Sequence, residues 1–164
     1  MYTFSWNNTP FGRVLLASDG TALTGFWFEG QKYFGAGLPS EREEGAHPVF
    51  TLARQWLEKY AAGENPPLNV PLAPQGPPFR QAVWQYLRTI PYGTTQTYGE
   101  VAAALARECG RYVSPRAVGG AVAHNPISVF IPCHRVVGAG GKLTGYAGGL
   151  DRKRFLLRLE GALR

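Results

Sequence analysis

A run of prolines in the middle of the chain limits what this sequence can fold into. Residues 61–78 contain six of the thirteen prolines, and a proline has no amide hydrogen to donate to a helix or to a central strand. The segment therefore predicts an extended connector that divides the chain. We expect an N-terminal domain over residues 1–72, a proline-rich connector over 73–78 and a C-terminal domain over 79–164, a division that suits a chain of 164 residues.

The first half has the pattern of a small antiparallel sheet followed by a helix. Residues 12–17 and 23–28 are strand-like apolar runs, and Asp19 and Gly20 between them suit a tight hairpin. Apolar residues then recur at helical spacing, at Phe50, Leu52, Trp56, Leu57 and Tyr60. Three acidic residues that suit a solvated loop are Glu41, Glu43 and Glu44. The pattern contains no catalytic group of residues and predicts a structural role for this half.

The second half is predicted to be mainly helical. Residues 79–87 place apolar side chains on one helical face. Thr97 and Glu100 match the capping box that begins a helix, and Gly110 is typical of the residue that ends one. Together with the sheet of the first half, these helices predict an α/β chain of the α+β type.

A second helix in this half completes the pattern of a helix-turn-helix. Ser114 and Pro115 suit the N-cap and first position of a helix that runs to Ala123. Within it, Gly119 and Gly120 each cost about 1 kcal/mol relative to alanine. Either another helix or a nucleic-acid backbone must therefore approach closely, and helix packing is the default explanation. We predict a winged helix-turn-helix-like domain, although many paired helices never touch DNA.

The charge of the chain is unevenly distributed. Residues 1–72 contain five Lys or Arg and seven Asp or Glu, whereas residues 73–164 contain twelve and four. A basic second half favours a polyanionic partner. A basic surface without any partner fits the charge alone equally well.

Composition excludes several classes of protein. Hydrophobic residues make up 45% of the chain, which is enough for a packed core, but no apolar run reaches the roughly 18 residues that cross a bilayer. The N-terminus does not resemble a secretory signal. Two cysteines, Cys109 and Cys133, cannot form a disulfide framework, and with three histidines they do not suit a four-ligand zinc site. We expect a cytoplasmic protein without membrane contact, with Cys109 as a packing residue.

Cys133 and His134 are the residues best suited to chemistry. A thiolate is a nucleophile that needs a base or a positive field nearby. The pair follows a strand-like run at 127–131, and adjacent side chains of a strand point to opposite faces. They can therefore cooperate only if the backbone turns at Pro132 or if a water links them. Read alone, Cys133 is more typical of packing, and Asn125 of a helix C-cap.

The Cys133–His134 dipeptide is one of several short motifs that follow one another in a fixed order along the second half. The segments that carry the resemblance are residues 91–93, 97–99, 116–121, 125–126, 131–136, 145–149 and 159–161. With these segments, the second half resembles the O6-alkylguanine-DNA alkyltransferases, also called methylated-DNA–protein-cysteine methyltransferases. The first half is similar to the family only in its size and strand–helix pattern.

The resemblance implies a repair protein that acts once. Members bind duplex DNA through the helix-turn-helix in the minor groove, and rotate the damaged guanine out of the base stack. They then move its alkyl group from O6 to a cysteine, which retains it. Here the implied acceptor is Cys133 and the implied partner is double-stranded DNA containing O6-alkylguanine, with O4-alkylthymine as a second substrate. The resemblance implies a monomer with no cofactor and no metal.

Roles for individual residues are implied in the same way. His134 would deprotonate Cys133 through a bound water, and Glu160 would orient His134. Two further catalytic positions are Asn125, which would hold the turn, and Tyr98, which would supply a proton to the leaving guanine. Residues that would contact DNA are Tyr98, Ser114, Arg116, Ala117, Gly119 and Arg135. Residues that would form the guanine pocket are Val136, Tyr146, Ala147 and Gly148.

Some of these residues have features of their own. Arg116 is a cation near a helix N-terminus, where the positive end of the macrodipole disfavours it. This position suits a side chain that extends towards DNA better than one that forms a structural ion pair. Glu160 stands near a helix C-terminus and requires a cationic partner such as protonated His134 or an arginine. Some relatives carry a serine in place of Ala147 and a proline in place of Ser128, which would alter the pocket.

Three other functions remain open at this stage. A protein that only recognises alkylguanine is one, although such relatives replace the cysteine with tryptophan, which Cys133 argues against. A helix-turn-helix regulator is another, but it would need a sensing or dimerising device. A cysteine hydrolase would need an oxyanion hole, and the sequence does not reveal one.

Overall fold

The computed structural model describes residues 1–163, and its first third is a four-stranded sheet. The strands, in the order β3-β2-β1-β4, are β1 (Tyr2–Thr9), β2 (Gly12–Ser18), β3 (Leu23–Phe28) and β4 (Glu43–Glu44). The predicted hairpin is the β2–β3 pair. Sequence patterning missed β1, which pairs antiparallel with β2. The solvated loop predicted for Glu43 and Glu44 is wrong, because they pair in parallel with β1 while their side chains stay exposed.

Five α-helices complete the fold of residues 1–163. They are α1 (Pro48–Ala61), α2 (Pro78–Leu87), α3 (Tyr98–Cys109), α4 (Pro115–Ala123) and α5 (Leu150–Leu159). The predicted capping box is present at Thr97 and Glu100, and Gly110 ends α3 in the left-handed conformation with a φ of 69°. A short parallel pair of strands, β5 (Gln96–Thr97) and β6 (Val136–Val137), stands beside α3. The predicted α+β class is confirmed.

The proline-rich connector is fixed against the sheet. The Leu23 amide donates to the Pro71 carbonyl and the Ala73 amide donates to the Leu23 carbonyl, both at 2.8 Å. Farther along, a Cβ on Gly76 would lie 2.6 Å from the ring of Trp84. Trp84 in turn donates through Nε1 to the Ala121 carbonyl at 2.8 Å. The connector thus links β3 to α2 and α4.

Residues 127–131 correct another expectation. They are buried as predicted, but they form isolated bridges and turns rather than a strand. Ile127 bridges to Phe26 of β3, and Ile131 folds back to Ser128. Val129 has a φ of 73°, which is rare for a β-branched residue and which a strand cannot contain. This buried loop carries the chain from α4 to Cys133.

The hydrophobic core draws on both halves of the chain. Phe26 and Phe28 from β3 meet Phe130 and Tyr146 from the second half at ring-centroid distances of 5.5 to 6.3 Å. Trp56 of α1 packs 4.7 Å from Phe130. As a result, α1 and β3 lie directly against the segments that follow α4.

Candidate functional site

Cys133 and His134 lie together at a single helical turn. Residues Cys133–Arg135 form a 3₁₀ helix directly after Pro132, so the backbone turns where the sequence required it to. Both side chains are buried, with relative exposures of 2% for Cys133 and 0% for His134. The condition for cooperation between the thiol and the imidazole is therefore met by a turn.

Asn125 braces the loop in front of this turn. Its Nδ2 donates to the Ile131 carbonyl at 2.9 Å, and its Oδ1 accepts from the Ile127 amide at 3.0 Å. His124, not Asn125, is the C-cap of α4, and Asn125 does not have a positive φ. The capping explanation is therefore wrong. The Asn125 side chain instead closes the loop that leads to Cys133.

The Glu160 carboxylate collects donors from several segments. Its Oε2 lies 2.6 Å from Nε2 of His134 and accepts from the Tyr60 hydroxyl at 2.5 Å. Nε of Arg135 donates to Oε1 at 2.8 Å, and Nη2 of Arg135 donates to Oε2 at 3.1 Å. The Gly93 amide lies 3.4 Å from Oε1. Glu160 thus has the cationic partner that its helix position required.

Arg135 is a correction to the predicted DNA contacts. Besides Glu160, its guanidinium donates to the Ile90 carbonyl at 2.7 Å, and the side chain is only 12% exposed. A guanidinium with these partners is not available to a phosphate. Its role in this structure is to hold the carboxylate.

The electrostatics of the group favour a neutral imidazole beside an ionised carboxylate. Burial acts to raise the pKa of Glu160, but hydrogen bonds from His134 and Arg135 outweigh it and lower that pKa to about 2. Burial lowers the pKa of His134, and the bond to Glu160 opposes this. With Nε2–H donated to Glu160, Nδ1 keeps a lone pair. Within residues 1–163, no hydrogen-bond partner reaches this buried Nδ1, so it can act as a base.

The surroundings of Cys133 oppose ionisation of its thiol. Burial raises the pKa of Cys133. Three neighbours partly offset this effect, namely the side chain of Asn125, the charge of Lys153 and the hydroxyl of Tyr146. Cys133 is thus a protected thiol that needs a base to become a nucleophile.

Lys153 is a buried cation near Cys133 that was not predicted from the sequence. Its Nζ is buried and donates to the carbonyls of Val136, Thr144 and Gly145 at 2.6, 3.2 and 3.1 Å. Burial lowers its pKa to about 8, against the opposing effect of Cys133. A signal was available, since the buried face of α5 repeats at helical spacing through Lys153, Leu156, Leu157 and Glu160. Two charged residues on a buried stripe mark a site.

A pocket of about 130 Å³ opens between α4 and residues 145–147. Its lining includes Lys32, Tyr98, Gly119, Gly145, Tyr146 and Ala147. Tyr98 donates to the Thr144 carbonyl at 3.2 Å. The buried Tyr146 hydroxyl meets no hydrogen-bond partner in the described part of the chain. Burial, and the nearby Cys133, raise the pKa of both tyrosines.

Two residues predicted for the pocket lie behind it. Val136 is fully buried and its carbonyl accepts from Lys153. Gly148 is buried where a Cβ would come within 2.7 Å of Phe28 and 2.8 Å of Tyr146. Lys32, from the first half, reaches the pocket because its amide donates to the Ala147 carbonyl at 3.1 Å.

Several residues predicted to contact DNA lie on α4 or at its N-terminus. Ser114 is its N-cap and accepts from the Ala117 amide at 3.0 Å, and both residues line a groove of about 780 Å³ with Tyr112. Arg116 and Ala117 are exposed. Arg116 and Gly120 are separated by one helical turn and share a face.

Packing does not explain the glycine pair. A Cβ on Gly119 would meet only the Tyr98 ring, at 3.9 Å, and no described atom lies within 4 Å of one on Gly120. The default explanation of a helix packed closely there is wrong, and the surface is open to a partner. Cys109 is a second correction, because it is exposed at the end of α3 rather than packed.

Comparison with known proteins gives a consistent result over the whole length. Residues 1–74 match the family model described as 6-O-methylguanine DNA methyltransferase, ribonuclease-like domain, and residues 78–162 match its DNA binding domain. A methylated-DNA–protein-cysteine methyltransferase of Haemophilus influenzae is 46% identical over 158 residues, which are 96% of this chain and 85% of that protein. One from Methanosarcina acetivorans is 46% identical and covers 94% and 95%.

A solved structure agrees with these sequence relatives. The crystal structure of Mycobacterium tuberculosis OGT in complex with DNA has a TM-score of 0.85 and 40% identity, covering 99% of this chain and 94% of that one. Within residues 1–163, none of the helices combines the length and apolar character that crossing a bilayer requires.

Proposed function

The chain belongs to the 6-O-methylguanine DNA methyltransferase family, and from this membership we propose that it repairs DNA by moving an alkyl group from O6 of guanine to Cys133. It is a methylated-DNA–protein-cysteine methyltransferase that acts once, because the thioether formed on Cys133 has no route back to a thiol. We propose O4-alkylthymine as a second substrate.

One observation carries this proposal. A buried thiol and a buried imidazole share one helical turn, and the imidazole is fixed to Glu160 at 2.6 Å. This is the nucleophile, base and orienting group that displacement at carbon requires. The pocket lined by Tyr98 and Tyr146 borders α4 at Gly119, and Tyr146 is near enough to Cys133 to lower the pKa of the thiol.

The proposed reaction conserves atoms and charge. The Cys133 proton moves to Nδ1 of His134 through a water, and Glu160 stabilises the imidazolium that forms. The thiolate attacks the alkyl carbon, so that the S–C bond forms as the C–O6 bond breaks. The electron pair of that bond goes to the guanine, which takes a proton from the Tyr98 hydroxyl and remains in the DNA as an ordinary base. The proton held by the His134 imidazolium returns through water to Tyr98, so that the net proton transfer is from Cys133 to the guanine. Asn125 holds the turn that aims the sulfur.

DNA reaches the site through α4. We propose that this helix enters the minor groove, that Arg116 fills the space left by the rotated base, and that Ser114, Ala117 and Gly119 lie along the backbone. Rotation is required because a thiol at 2% exposure cannot reach a stacked base. Tyr146 and Ala147 would then receive the guanine. The protein would act as a monomer, with residues 79–164 as the DNA-binding and alkyl-transfer domain.

A mass measurement tests the function and the acceptor together. The protein is mixed with an excess of duplex containing one O6-methylguanine, and the intact mass and peptide masses are recorded. We expect one methyl group on the peptide that contains Cys133, restored guanine and no second turnover. Cys133→Ala should bind DNA without accepting the methyl group, and the matched change at the exposed thiol, Cys109→Ala, should accept it normally.

Other outcomes would point to the remaining functions. Lesion-selective binding without a mass change would indicate a recognition protein. Binding without selectivity or transfer would leave a helix-turn-helix DNA-binding protein. Methyl transfer that persists in Cys133→Ala would refute the acceptor assignment.

A further inference from the structure

A tyrosine from the first half contacts Glu160, the carboxylate that also binds His134 and Arg135. Tyr60 lies in the last turn of α1, one hundred residues from Glu160 in the sequence, and it is buried. Its ring stacks on Trp56 at 5.2 Å and meets Tyr92 edge-on at 6.2 Å. Its hydroxyl donates to Oε2 of Glu160 at 2.5 Å and lies 3.5 Å from Nε2 of His134.

Three donors share one oxygen. Oε2 of Glu160 accepts from Tyr60 at 2.5 Å and from Nη2 of Arg135 at 3.1 Å, while Nε2 of His134 lies 2.6 Å from it. The phenol therefore fixes the position of that oxygen and takes part of the negative charge that would otherwise face the imidazole. A carboxylate that is shared in this way binds the imidazolium less strongly.

Packing alone does not require the hydroxyl. A phenylalanine would keep the ring contacts with Trp56 and Tyr92, and a buried hydroxyl costs free energy unless it has a partner. Burial, followed by the negative charge of Glu160, raises the pKa of Tyr60 far above its usual range. The hydroxyl consequently keeps its proton and remains a donor throughout the range in which the protein works.

We propose that Tyr60 is a positioning residue for alkyl transfer, which fixes the Glu160 carboxylate and sets the basicity of His134 from the opposite half of the chain. This inference rests on the function proposed above. It gives the first half a part in the reaction, whereas its sequence predicted a structural role only.

The sign of the effect follows from the charges around His134. Burial lowers the pKa of His134, Glu160 raises it, and the charges of Arg135 and Lys153 lower it further. The other titratable groups beside the ring are the Tyr60 hydroxyl, 3.5 Å from Nε2, and Cys133 in the same turn. Removing the phenol proton donor leaves more of the Glu160 charge to His134, so the pKa of His134 should rise. Because His134 must be neutral to act as a base, the low-pH limb of the rate profile should move to higher pH.

The test is Tyr60→Phe in the full chain, with single-turnover transfer from O6-methylguanine duplex measured at saturating protein and several pH values. We expect the limiting rate constant to fall roughly tenfold, as for loss of one hydrogen bond to a charged group. The midpoint of the low-pH limb should shift upwards, and the affinity for DNA should not change. Tyr86→Phe is the matched control, because its hydroxyl bonds Gln96 at 2.7 Å, away from Glu160.

A second comparison separates positioning from folding. In a Glu160→Gln background, Tyr60→Phe should not shift the midpoint further, since the shared charge is already gone. A wild-type rate and midpoint in Tyr60→Phe would overturn the inference, and so would a slower rate with an unmoved midpoint, which indicates packing. If the wild-type protein transfers no methyl group, the proposed function fails instead.

Discussion

The open surface at Gly120 leads to a prediction in which stability and binding change in opposite directions. In Gly120→Ala the added methyl group meets no described atom within 4 Å. The residue is exposed in the helical interior of α4, where glycine is the less favourable residue. The substitution therefore alters the helix propensity without altering the packing.

The size of both effects can be stated. Alanine in place of an exposed helical glycine increases the free energy of unfolding by about 1 kcal/mol, which raises the Tm of a chain of this length by roughly 2–4 °C. If a DNA backbone approaches the face that Gly120 shares with Arg116, the methyl group obstructs it. Overpacking of that kind costs about 1–3 kcal/mol, a fall in affinity of roughly five- to 150-fold.

Thermal unfolding and DNA titration at one fixed salt concentration measure the two effects. Ala103→Gly, at an exposed position in the middle of α3, calibrates the alanine–glycine difference with the opposite sign. A stabilised Gly120→Ala that binds DNA as well as the wild type would refute the idea that the glycine serves a close approach. A destabilised variant would refute the reading of an open helix face.

Three further predictions concern the site. The pKa of Glu160 is about 2 in the fold against an ordinary 4.5, so its carboxylate stabilises the fold above pH 4.5 and this effect is lost as pH falls towards 2; chemical denaturation of Glu160→Gln should show a smaller loss of stability between pH 6 and pH 3 than the wild type. Lys153→Met removes a donor to three carbonyls and a charge that lowers the pKa of Cys133; we expect a loss of about 1.5–3 kcal/mol of unfolding free energy and a pH–rate profile for transfer moved to higher pH. Gly148→Ala places a Cβ 2.8 Å from the Tyr146 ring, so single-turnover kinetics should show a slower transfer step while DNA affinity is retained.

Most of the fold follows from local patterns in the sequence. The capping box at Thr97 and the left-handed Gly110 are decided by residues close in the chain, and both are present. Other elements depend on partners distant in the sequence, and β1, which was not predicted, is one of them because it pairs with β2. β4 exists because its backbone pairs with β1, whatever its side chains favour. The run at 127–131 is apolar enough for a strand, but Asn125 closes it into a loop.

The residues of the site also fall into those that local sequence predicts and those that depend on distant contacts. The turn at Cys133 was predictable from Pro132, and the need of Glu160 for a cation was predictable from its helix position. Tyr60 and Lys32 were not, since each depends on contacts between halves that no local pattern records. Arg135 was assigned to DNA through the resemblance alone, and only the structure pairs it with Glu160.

The two cysteines stand in opposite settings, and this has a consequence for chemical selectivity. Cys109 is exposed to solvent, and Cys133 is buried. A small electrophile diffusing in the medium encounters the first sulfur, whereas the surrounding protein shields the second. Under the proposed function, in which one transfer consumes Cys133, this burial keeps the acceptor from reacting with freely diffusing alkylating agents.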